Sequence, residues 1–98
     1  MTVQEKIHEY LSVHRDEMVE DIKTLIKVDS ARAEALPGKP YGEGAAEALH
    51  AGLSLFEKHG FLGKNWDNYA IDTVINGKKL GLDILAHLDV VPGGDGWT

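Results

Sequence analysis

The chain has no cysteine among its 98 residues. This excludes a disulfide framework and any metal site built on thiolates. Positive charge is scarce as well. Ten Lys and Arg stand against sixteen Asp and Glu, a formal net charge of −6 at pH 7 with His neutral. A pI near 5.2 argues against nucleic acid as a partner, because phosphate contacts need clustered Lys and Arg. Long apolar runs are missing too. The longest, Ile84 to Val91, is broken by His87 and Asp89 and is far too short to span a bilayer. Met1 to Lys6 is charged and lacks the uninterrupted apolar core of a signal peptide, so the expectation is a cytoplasmic protein with no membrane partner. The sequence holds no internal repeat and no low-complexity tract.

What is present fits a soluble globular chain, 43% hydrophobic and 27% charged, long enough for one small domain and not for two. From about Val3 to Val28, Ile7, Leu11, Met18, Ile22, Leu25 and Ile26 recur at three- and four-residue steps, with Tyr10 and Val19 alongside. That pattern predicts one helix with an apolar stripe and a charged, solvated opposite face. Thr2 followed by Glu5 fits a capping box. Residues 30–41 have loop composition, with Pro37-Gly38 and Pro40 as breakers. A second helix is expected from Glu43 to Lys58. Its apolar face is Ala45, Ala48, Leu49, Gly52, Leu53 and Phe56, and Gly60 stands where a left-handed C-terminal cap belongs. Ala45, Ala48 and Gly52 are small enough to let a neighbour approach closely. Gly42-x-Gly44 resembles half of a phosphate-binding turn. It follows a Pro-rich loop and lacks the third glycine and a Lys, so it reads as a flexible lead into the helix.

The period then changes. Tyr69, Ile71, Thr73 and Ile75 alternate with Ala70, Asp72 and Val74, which predicts a strand. Asn76-Gly77 is a strong hairpin signal, since both residues tolerate positive φ. Leu80 to Val91 then reads as the returning strand. Its centre, residues 82–86, is apolar on both faces apart from Asp83, as in a covered sheet. Pro92 to Gly96 ends it in a tight loop. The order helix, helix, strand, strand opens an α/β layered domain without finishing it, because the buried strand keeps an unpaired edge. The expectation is therefore a piece of a longer chain.

His87 and Asp89 stand two apart at the C-terminal end of that strand, where groups that act on substrates collect in α/β sheets. Period two puts both side chains on one face. A carboxylate beside a metal-binding imidazole accepts from the non-ligating ring nitrogen, which fixes the tautomer and orients the ring. Taken alone, His-x-Asp is a pattern that chance produces often, and a histidine at a strand end can simply cap its own loop. The wider stretch is more specific.

Ile84-Leu85-Ala86-His87-Leu88-Asp89-Val90-Val91-Pro92-Gly93-Gly94-Asp95-Gly96-Trp97 resembles the first signature of metallopeptidase family 20, the carnosinase, acetylornithine deacetylase and succinyl-diaminopimelate desuccinylase group. Tyr41-Gly42-Glu43-Gly44-Ala45 opening a helix, Phe56 to Phe61 closing it and Asn65 to Ala70 opening a strand look most like the bacterial PepV-type dipeptidases. The resemblance implies a layered α/β/α catalytic domain with two divalent metal ions, usually zinc and sometimes manganese or cobalt. It implies His87 as a metal ligand and Asp89 as the catalytic carboxylate supporting it. It also implies that a bridging Asp, a general-base Glu with a Glu beside it, another carboxylate and a second His come from beyond Thr98. The implied activity is hydrolysis of dipeptides with a free N-terminus, and the implied partners are a small peptide and a second copy through a lid domain. The same metal centre serves N-acyl amino acid deacylases, and an α/β module without a metal centre is the rival of another class. Residues 1–98 alone are expected to be inactive, since one imidazole cannot hold two metals or supply the base.

The other histidines read as surface residues. His8 and His14 are six apart, poor spacing for two ligands on one helical face, and His50 and His59 flank the second helix, with His59 placed to meet its dipole. Asp83 reads as a satisfied polar residue or a sheet-edge charge, Asp95 as a turn residue, and Trp66 and Trp97 as packing residues.

Overall fold

In the computed structural model, which describes residues 1–75, 77, 81–94 and 96, the capping box forms as expected. Thr2 Oγ1 accepts from the Glu5 amide at 3.1 Å, and the Thr2 amide donates to Glu5 Oε2 at 3.3 Å. Two otherwise orphaned donors are thereby satisfied. The expected single helix is in fact two, α1 over Val3–Val13 and α2 over Arg15–Ile26, divided at His14 with φ −97° and ψ 8°. The break has a local cause. Ser12 Oγ donates back to the His8 carbonyl at 2.9 Å, a contact that loosens and bends helices, and β-branched Val13 follows it. The backbone ladder continues across the bend, from His14 N–H to Tyr10 O and from Met18 N–H to His14 O.

The apolar stripe runs across the bend, where Leu11 of α1 and Met18, Val19 and Ile22 of α2 line one open groove. Among the described elements α1 touches only α2, while α2 lies against α3, Glu43–Lys58. Ile7, Tyr10, Leu11 and Ile22 are exposed among the described residues, although the stripe predicts a buried face. α3 has the expected bounds, and Gly60 beyond its C-terminus adopts φ 84°, the left-handed cap geometry. Pro37-Gly38 makes a tight turn in which Leu36 and Lys39 exchange backbone bonds of 2.9 and 3.0 Å, with Gly38 at φ 73°. Proline before a positive-φ glycine is the type II arrangement.

A hairpin forms ahead of the turn the sequence suggests. β1, Gly63–Trp66, pairs antiparallel with β2, Ala70–Thr73, in the register Gly63↔Thr73 through Trp66↔Ala70. The turn is Asp67-Asn68, at φ 53° and 61°. Asx residues tolerate this region, and two positive φ values match the twist of paired strands. Asn65 secures it, accepting from the Asn68 amide and donating to Asn68 Oδ1, both at 2.8 Å, while Asn68 Nδ2 donates to the Gly38 carbonyl at 2.9 Å. Of the Asn76-Gly77 turn predicted from sequence, Asn76 lies outside the described residues.

The α/β class therefore holds, as three helices and a two-stranded antiparallel sheet. The returning strand over Leu80–Val91 does not. Leu80 lies outside the described residues, and among the described residues positions 81–91 form no ladder beyond one parallel bridge between Ala31 and Val90. Leu82 and Leu85 are 80% and 95% exposed. An extended apolar segment becomes a strand only when neighbouring backbone completes its hydrogen bonds, and among the described residues that partner is present only at Val90. The radius of gyration, 16.1 Å, exceeds the roughly 13 Å of a compact domain of about this length. Burial concentrates on the small-residue face of α3, at Ala46, Ala48 and Gly52.

Candidate functional site

Close approach at α3 positions the segment that carries His87 and Asp89. The chain leaving α2 crosses the N-terminus of α3 so tightly that a Cβ on Gly44 would stand 2.0 Å from the Asp29 carbonyl oxygen. Gly44 is thus demanded by backbone proximity, not by flexibility. The crossing buries Ser30 to 4% exposure, and its Oγ donates to the Leu88 carbonyl at 2.8 Å. One residue on, Ala31 and Val90 form the parallel bridge. Leu88 turns its side chain inward, where its Cδ1 would lie 3.4 Å from a Cβ on Gly52.

With Leu88 turned in, alternation turns its neighbours out. The side chains of His87 and Asp89 are 84% and 62% exposed, with Nδ1 and Oδ1 3.5 Å apart. The two predicted site residues do come together. The closer acceptor is the backbone carbonyl of Asp89, 3.0 Å from His87 Nδ1. A carbonyl only accepts, so in this contact Nδ1 donates, and in the neutral ring that leaves the lone pair on Nε2. That is the tautomer of a histidine ligating through Nε2, with the other ring nitrogen held by a carbonyl or carboxylate. The pair fits one ligand and its support; a metal pair needs donors from elsewhere. Asp95 and Trp97 lie outside the described residues.

A second cluster escaped the sequence reading. Glu17 and Asp21 on α2 meet His59 at the C-terminal end of α3, with one ligating atom of each lying within 4.8 Å of the others. Asp21 Oδ2 lies 2.6 Å from His59 Nε2, and Asp21 Oδ1 lies 2.5 Å from Lys58 Nζ. His59 Nδ1 lies 3.7 Å from Glu17 Oε1. Hydrogen bonding to Lys58, then to His59, holds the Asp21 carboxyl below its ordinary value, and Asp21 in turn raises Lys58. The Lys58 ammonium already supplies the cation, and the arrangement ties α2 to α3. His59, read from sequence as a partner for the helix dipole, is a bridge between helices. Only the i, i+4 spacing of Glu17 and Asp21 hinted at a shared acidic face; nothing local brings His59 to it.

The remaining expectations divide. His14 stays at the surface, stacked on Tyr10 at 4.1 Å between ring centroids and 3.4 Å from Glu17 Oε2. Trp66 is half exposed and carries Lys64 Nζ 3.5 Å above its ring, a cation–π contact in place of core packing. Asp83 is exposed. Among the described residues no helix is long and apolar enough to cross a membrane.

No protein-family model matches the chain. Individual proteins do. It is 38% identical over 86 residues to "Putative dipeptidase YtjP" of Bacillus subtilis, covering 86% of this chain. It is 35% identical over 94 residues, 92% of this chain, to the Beta-Ala-Xaa dipeptidase of Lactobacillus delbrueckii subsp. lactis. It is 36% identical over 96 residues, 96% of this chain, to a "Putative dipeptidase" of Staphylococcus epidermidis. The chain is a relative of proteins named dipeptidases. It spans about a fifth of their length, 19% of the first and 20% of the other two.

Proposed function

We propose that this chain is the N-terminal part of a cytoplasmic, metal-dependent dipeptidase of metallopeptidase family 20, of the PepV type, and that it contributes one metal ligand and its supporting carboxylate. The observation that carries the reading is the outward pairing of His87 and Asp89, with Nδ1 3.0 Å from a backbone carbonyl and 3.5 Å from a carboxylate oxygen. It stands within a stretch related to proteins named dipeptidases. His87 would hold a metal through Nε2. Asp89 would keep the imidazole oriented through its carbonyl and carboxylate, raising the basicity of the ligating nitrogen. Bound divalent ions, zinc or alternatively manganese or cobalt, would supply Lewis-acid activation of water and of the scissile carbonyl. Leu88 and Val90, turned inward or paired, hold the backbone beneath the two side chains. The remaining ligands and the general base would come from beyond Thr98, so residues 1–98 alone should not turn over substrate.

The test uses the complete gene product, stripped of metal and reloaded with zinc, manganese or cobalt, beside a His87→Ala variant. Metal-restored hydrolysis of dipeptides with a free N-terminus, lost in the variant, is the expected result. Hydrolysis confined to N-acyl amino acids would reassign the protein as a deacylase. No bound metal and no turnover on either class would leave a non-catalytic α/β module.

A further inference from the structure

We infer that Ser30 is the positioning residue of the His87–Asp89 pair, a role that rests on the dipeptidase reading above. A slip of one residue in an extended segment sends every side chain to the opposite face. Sheets normally prevent this with a ladder of backbone bonds. Among the described residues, the fixed points of the backbone that carries His87 and Asp89 are one side-chain hydrogen bond and the Ala31–Val90 bridge. The peptide between them is held from a point 58 residues earlier in the chain, where Ser30 Oγ donates to the Leu88 carbonyl at 2.8 Å. Ser30 is the buried polar side chain of the described core, at 4% exposure.

The hydroxyl is itself held on both sides. Asp29 is pressed against Gly44 at the start of α3, and Ala31 is bridged to Val90. Asp29 Oδ1 also accepts from the Ala31 amide at 3.4 Å, closing the turn around Ser30. With the Leu88 carbonyl directed at Ser30 and its side chain directed at Gly52, little rotational freedom remains to the peptides that carry His87 and Asp89. Ser30 touches neither functional side chain. It acts through the backbone between them.

The experiment compares the complete gene product with Ser30→Ala, Ser30→Thr and His87→Ala. Zinc affinity is read by chelator competition, ligand geometry by the visible spectrum of the cobalt-loaded protein, and turnover by kcat and KM on a free dipeptide. Ser30→Ala should weaken zinc binding and lower kcat by about tenfold or more, the range seen when supports of a metal ligand are removed. The cobalt spectrum should change, KM should hold, and Ser30→Thr, which keeps the hydroxyl, should restore most of the loss. Should Ser30→Ala not accumulate folded, Ser30→Cys takes its place, as a near-isostere with a weaker donor. Native zinc affinity and cobalt spectrum in the variant, with only a lower melting temperature, would overturn the inference and leave Ser30 a packing residue. If His87→Ala itself keeps native metal binding and turnover, His87 is not a ligand and the positioning role falls with it, whereas no bound metal and no turnover in the unsubstituted protein would mark the failure of the dipeptidase reading.

Discussion

Replacing Gly44 by alanine sets two effects against each other. In an ordinary helix interior the change stabilises by about 0.5–1 kcal/mol, because glycine loses more backbone freedom on folding. At Gly44 the new Cβ would stand 2.0 Å from the Asp29 carbonyl oxygen, 1.0 Å inside the 3.0 Å floor of real Cβ contacts. The obstacle is backbone, so no rotamer relieves it, and the 29–31 crossing must lift from α3. Overpacking of this kind costs about 1–3 kcal/mol, which exceeds the propensity gain and leaves a net loss of about 1–2 kcal/mol. The readout is native-state hydrogen exchange in the complete gene product, which reports local opening. The Ala33 amide, bonded to the Tyr41 carbonyl at 3.0 Å, should lose protection by about five- to thirtyfold, since 1.4 kcal/mol is a factor of ten. Gly81→Ala is the control, with nothing within 4 Å of its added Cβ. The lifted crossing should also weaken zinc binding as Ser30→Ala does. Unchanged or increased protection of Ala33 would refute the close approach as the reason for the glycine.

Asp21 should make stability depend on pH at the acid end. Its carboxyl is lowered from the ordinary 3.8 by Lys58 and then His59, so its contribution is present above that value and lost as pH falls through the lower folded one. Asp21→Asn should flatten the acid arm of urea midpoints measured from pH 5 downward; an unchanged arm would count against the helix tie. Lys58 is raised above 10.5 by Asp21, so its share is full below that value and disappears as pH rises through the folded one. Asn68→Ala should open the hairpin by about 2–3 kcal/mol, combining the cost of positive φ for a residue with a Cβ with loss of the bonds to Asn65 and Gly38. Asn68→Gly should cost about 1 kcal/mol less, and exchange of the Tyr69 amide, bonded to the Trp66 carbonyl, separates the two.

Features settled within a few residues could be read directly from the chain. The Thr2–Glu5 cap, the bounds of α3, the left-handed Gly60 and the Pro37-Gly38 turn depend on local backbone sterics and on short-range hydrogen bonds. The alternation that turns Leu88 one way and His87 and Asp89 the other is equally local, and the pair was legible for that reason. The bend at His14 is not legible in the periodicity, which continues across it and suggests one helix, since Ser12 is compatible with either a straight or a bent helix. The Asp67-Asn68 hairpin was not read from the sequence because Asx residues only permit positive φ; a turn forms where the flanking residues also pack, and Gly63 and Ile71 fit the Leu53, Phe56 and Gly52 face of α3. The strand over residues 80–91 was over-read because apolar composition does not supply hydrogen-bond partners.

By itself the sequence determined the class of the fold, the second helix, and a histidine and an aspartate set two apart on one face. Tertiary structure alone decided that Gly44 must accept the Asp29 carbonyl, that Ser30 reaches Leu88, and that His59 and Lys58 close on Asp21. Each of these joins residues 15 to 58 positions apart, and contacts at that range depend on how helices and loops pack, which no local period or propensity encodes.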